Sequence, residues 1–148
     1  MKALKFTLAI VILTLISAAG FSQKGVEDGS RYGHGEDSVK CVRNYSLYRE
    51  YYKQKNYNDA LPYWRIVIKE CPKISKSIYQ HGTSMYKFYI LQAEKNKDEE
   101  LKIALVDTLM QVYDQRIKHY PKDNAIVLGY KANDILRFKK NELIFSVQ

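Results

Sequence analysis

Two cysteines, three histidines and a set of repeated tyrosines and lysines are the residues of this chain best suited to chemistry. Cys41 and Cys71 could form a disulfide, stay as separate buried thiols or exchange electrons. No CxxC spacing places both sulfurs on one helical turn, so redox catalysis is not expected. His34, His81 and His119 include no i, i+4 pair, the spacing of a helical metal site, and no metal is expected. GxSxG, a phosphate-binding glycine loop and HExxH are all missing, and the glycines of RYGHGED precede no GK[ST]. The chain is therefore not expected to be an enzyme or to carry a cofactor. What recurs instead is contact chemistry: Tyr45 with Tyr79, Tyr52 with Tyr86, and Lys53 with Lys87, each pair 34 residues apart. Tyrosine offers apolar area and a hydroxyl at low entropic cost, and lysine adds positive charge.

Helices must position these residues. Within the 148 residues, apolar content of 46% suffices for one domain with a core. Asp37 or Ser38 can cap a helix starting near Val39, which presents Val42, Leu47, Tyr48 and Tyr51 and closes at Lys55-Asn56. Tyr57 to Glu70 reads as the return helix, with Ala60, Trp64, Val67 and Ile68 on its inner face, Pro62 near its start and Pro72 as its stop. A longer hairpin should follow: a helix from about Ser77 to Glu94, a turn over Lys95 to Asp98, and a helix from Glu99 to about His119. The apolar stripe of that last helix is Ile103, Val106, Leu109, Met110, Tyr113 and Ile117, and Pro121 ends it. One more helix opens near Asn124, followed by an apolar tail of Leu143, Ile144, Phe145 and Val147.

The period of 34 is that of a tetratricopeptide array. From Cys41 the first unit reads CVRNYSLYREYYKQKNYNDALPYWRIVIKECPKI, and it resembles a tetratricopeptide repeat at Leu47, Tyr51, Tyr57, Ala60, Trp64, Ile68 and Pro72. The second unit, from Ser75, keeps Gly82 where the repeat has a small residue for close helix crossing, and His81 takes the packing place of Leu47. Leu128-Gly129 resembles the same two places in a third. The resemblance implies an all-α fold of antiparallel helical hairpins stacked as a short tetratricopeptide-like α-solenoid, with units at about 41–74, 75–121 and a partial one at 122–148. It also implies a concave groove lined by Tyr45, Arg49, Tyr52 and Lys53 from the first unit and Tyr79, Thr83, Tyr86 and Lys87 from the second. In such a hairpin Cys41 and Cys71 lie at neighbouring helix ends, and a Cys41–Cys71 disulfide is expected if the protein is exported. Two separate thiols are the alternative.

Export is itself expected. Lys2 and Lys5 precede an apolar run from Phe6 to Ile16 and the small residues Ser17 to Gly20, the three parts of a signal peptide over 1–22, cleaved after Ser22 or alternatively after Ala19. A flexible glycine-bearing linker is expected over 23–37 and the helical domain over 38–148. The leader suggests a bacterial envelope, the periplasm above all. Losing Lys2 and Lys5 lowers the formal charge from +8 to +6. Nucleic acid is not an expected partner of an exported protein. The expected role is that of an adaptor or scaffold that holds a protein or peptide partner in the envelope. The alternative is a basic helical domain binding an anionic envelope polymer or lipid headgroups.

Overall fold

The computed structural model describes residues 35–139, and all its regular elements are helices: α1 (Gly35–Lys53), α2 (Tyr57–Glu70), α3 (Ser77–Lys95), α4 (Glu99–His119), a 3₁₀ turn (Pro121–Asp123) and α5 (Asn124–Phe138). The expected signal peptide, the expected linker as far as residue 34 and the apolar tail lie outside the described residues. The fold is all-α, with five helices packed against one another. Its most extensive contacts join α1 to α2 and α3 to α4, while α2–α3 contacts link these pairs and α4–α5 contacts attach α5 to the second.

α1 begins at Gly35, earlier than the expected cap at Asp37 or Ser38, so the last residues assigned to the linker are helical. Glu36 and Asp37 complement the positive end of the helix dipole from inside its first turn, and the Ser38 hydroxyl donates to the Gly35 carbonyl. The acidic pair thus belongs to the first turn rather than to the linker.

The two hairpin turns, 54–56 and 96–98, close by the same chemistry. Lys55 and Lys97 each adopt φ of 58°, the left-handed conformation that ends a helix. The next N–H then reaches back past a full turn, from Asn56 to the Tyr51 carbonyl (3.0 Å) and from Asp98 to the Ala93 carbonyl (2.9 Å). Asn56 and Asp98 cap the helices that follow, accepting from the Asp59 and Leu101 N–H groups. One residue therefore ends a helix and its neighbour starts the next.

The core centres on Trp64, whose indole N–H donates to the Ile78 carbonyl (2.7 Å) and so ties α2 to the first turn of α3. A Cβ at Gly82 would overlap the Trp64 ring, with Cε2 at 2.8 Å, so this close approach requires a glycine. Tyr48, Ile78, Tyr79, Met85, Ile90, Val106 and Leu109 complete the interior. The expected α4 stripe is buried or half-buried except at Ile103, which is 45% exposed; Lys102 and Leu105 are the half-buried residues of that turn. α5 departs further. It is buried through Val127, Asp134 and Phe138, whereas Leu128 is exposed and a Cβ at Gly129 would meet no atom within 4 Å. The pair that resembles the packing places of a first helix faces away from α4.

Candidate functional site

α1 and α3 meet through aromatic rings. Tyr45 packs edge-on against Tyr48 (5.5 Å between centroids), Tyr48 against His81 (5.9 Å), and Tyr52 stacks on the His81 ring at 3.9 Å and 17°. The ladder continues from Tyr52 to Tyr57 (5.5 Å), then to Phe88 (5.1 Å) and Tyr89 (5.4 Å). Offset and edge-to-face ring contacts of this kind each add about 0.5–1.5 kcal/mol beyond area burial. Tyr48 is fully buried and anchors the ladder; Tyr45, Tyr52 and Tyr57 are half-buried and Phe88 is exposed, so one edge reaches solvent.

Charge is arranged along that edge. The Arg49 guanidinium lies 5.3 Å over the Tyr45 ring, within cation–π range, and the rest of its side chain is exposed. Lys53 is exposed and reaches Glu50 at 3.9 Å, a solvent-screened contact of little energetic weight. Burial and the neighbouring Arg49 cation hold His81 below the ordinary histidine pKa. Its ring is therefore neutral at pH 7, and its Nδ1 can accept the Tyr48 hydroxyl proton across 3.3 Å. Burial raises the Tyr48 and Tyr57 hydroxyl pKa values, so both remain protonated donors.

The residues expected to line a groove divide into two sets. Tyr45, Arg49, Tyr52, Lys53 and Thr83 reach the surface at least in part. Tyr79 and Tyr86, at 0% and 3% exposure, do not. Tyr79 donates to the Pro72 carbonyl at 2.9 Å, and Tyr86 packs edge-on against Trp64 at 5.7 Å. Both are scaffold, with no surface left for a ligand. The Thr83 hydroxyl turns back to the Gln80 carbonyl at 2.9 Å. Lys87 is engaged by Asp134 of α5 at 2.6 Å, and the same carboxylate accepts from Tyr113 at 2.6 Å.

That buried Asp134 has a counterpart. Lys76 pairs with Asp123 at 2.9 Å, and both ion pairs join residues 47 apart, a base from α3 or its cap to an acid of α5 or the turn before it. Equal offsets mean that α3 and α5 run side by side in the same direction. A period of 34 does not reveal these pairs, because the second hairpin is longer than the first. A search at 47 would find them. His81 and Phe88 escape a search for repeated ladder members because each has a different residue, Leu47 and Gln54, at the matching place of the first unit.

The Cys41 and Cys71 sulfurs are bonded, with Cα atoms 6.1 Å apart, which joins the first half of α1 to the end of α2. A disulfide is compatible with an exported protein. Among the described residues no helix is long and apolar enough to cross a membrane. No protein-family model, curated protein or solved structure matches this chain.

Proposed function

We propose that this chain is an exported, non-catalytic tetratricopeptide-like adaptor that holds an acidic, partly apolar protein segment on the α1–α3 face in the periplasm. The observation that carries the reading is the aromatic ladder with one edge in solvent and Arg49 above it. Tyr45 and Tyr52 would give apolar contact and hydroxyls, and Arg49 can meet a carboxylate in bidentate fashion. The parallel side-by-side run of α3 and α5 supports a solenoid, as does the resemblance of the unit beginning at Cys41. Tyr79 and Tyr86 serve this reading as buried supports rather than as contacts.

Salt separates the adaptor from the other class, a binder of anionic polymer or lipid headgroups. Partners recovered from envelope extract by the mature chain should survive a rise from about 0.05 to about 0.5 M salt if ring contacts carry affinity. They should be lost from an Arg49→Ala, Tyr52→Ala variant that circular dichroism shows to be helical. Complete loss at the higher salt, with no sensitivity to the two substitutions, would reject the adaptor and favour binding through general positive charge.

A further inference from the structure

At the end of the molecule opposite the two hairpin turns lies a cavity of about 240 Å³, formed where the first turn of α3 meets the His119–Asp123 segment. Lys76, His119, Tyr120, Pro121, Lys122 and Asp123 line it. The Tyr120 ring and Pro121 make much of its wall apolar, and the Lys76 ammonium sits 5.7 Å over the Tyr120 ring. Charge here is one-sided. Asp123 is the one carboxylate in the lining, and it is held by Lys76 at 2.9 Å and by Arg116 at 3.5 Å. The Lys76 hydrogen bond keeps its carboxyl below the usual aspartate pKa, so it is ionised and neutralises one cation. Lys122 remains on the rim, and Lys118 and Lys73 lie close enough, after burial, to push the His119 pKa down.

Arg116 holds Asp123 from outside the lining, so Lys76 and Lys122 are the cations that face the cavity. The first turn of α3 adds no acidic residue beside them. An ammonium has three donors, so Lys76 can hold Asp123 and a second oxyanion together.

We propose that this cavity binds a small organic anion, a carboxylate or phosphate on a ring-sized apolar body. Lys76 and Lys122 meet its charge, and Tyr120 and Pro121 pack against the body. The volume matches one such group, and the apolar wall favours an organic body over a bare inorganic ion. The site is separate from the α1–α3 ladder and does not depend on it.

The test titrates the mature chain with phenyl phosphate, benzoate and uncharged benzyl alcohol, following backbone amide NMR shifts. Saturable shifts confined to residues 73–77 and 118–124 are expected with at least one anion and not with benzyl alcohol. Phenyl phosphate binding more tightly identifies a phosphate-bearing ligand; benzoate binding as tightly or more tightly identifies a carboxylate. Lys122→Glu, which leaves the Lys76–Asp123 pair in place, should weaken the better anion about ten-fold or more. Lys76→Gln should do the same, and Lys53→Gln should change nothing. No saturable shift with either anion, equal shifts with benzyl alcohol, or affinity unchanged in Lys122→Glu would overturn the proposal.

Discussion

Gly82 shows how one atom sets the distance between two helices. The Trp64 ring occupies the space of a Cβ, and it cannot slide away without breaking the indole bond to the Ile78 carbonyl. Alanine in place of glycine gains about 1 kcal/mol of helix propensity. Overpacking here costs about 1–3 kcal/mol, and the fixed ring puts this site at the upper end. Gly82→Ala should therefore destabilise the protein, with denaturant titration reading a net loss of about 1–2 kcal/mol. Stabilisation would mean that the ring is free to move. The need for a small residue here is legible from the repeat pattern, but the fate of the repeated tyrosines is not. Tyr45 and Tyr52 belong to α1, which packs on one side of the fold, whereas Tyr79 and Tyr86 belong to α3, which packs against α2 and α4 and is tied to α5. The same place in a repeat is half-exposed on an outer helix and buried on a central one. Identity at a period reports the register, and neighbours decide burial.

Hairpins are the easiest elements to read, because their stops and caps are local chemistry. Pro72, Pro121, Lys55-Asn56 and Lys97-Asp98 mark boundaries that lie within a residue or two of those found. Register in α5 is harder: Leu128-Gly129 matches the pattern, yet the ion pairs Lys76–Asp123 and Lys87–Asp134, with the Tyr113 hydroxyl on Asp134, turn another face of α5 inward. Those long-range polar contacts carry no short-range periodicity. The disulfide acts on the first hairpin as a whole. Its residues are 30 apart in sequence, and a loop of that size restrains the unfolded chain enough to stabilise the fold by roughly 3–4 kcal/mol. Cys41→Ser with Cys71→Ser should lower stability by that amount in chemical denaturation. An unchanged midpoint would show that packing around Trp64 alone determines the hairpin.

Across the whole molecule, acid should weaken the fold before carboxylates titrate. Burial, with Arg49 near His81 and with Lys118 and Lys73 near His119, holds both rings below the ordinary value of about 6.5. A depressed histidine pKa means that the unfolded chain binds more protons, so this stability is fully present above about pH 6.5 and is lost as pH falls through the folded pKa values. Thermal midpoints should decline between about pH 7 and about pH 5, and His81→Gln should flatten the decline. Asp123 contributes in a separate window, below about pH 4, where its lowered carboxyl takes up a proton. Flat midpoints from neutral to mildly acid pH would contradict the neutral, stacked His81. Site-specific photo-crosslinking in living cells tests the adaptor role of the α1–α3 face most directly. Benzoylphenylalanine placed at Ser46, Lys53 or Thr83, which leaves Arg49 and Tyr52 intact, with Gln115 on the exposed side of α4 as the control position, should give one discrete protein adduct from the first three and none from the fourth. The same adducts from all four positions, or none from any, would contradict the adaptor reading.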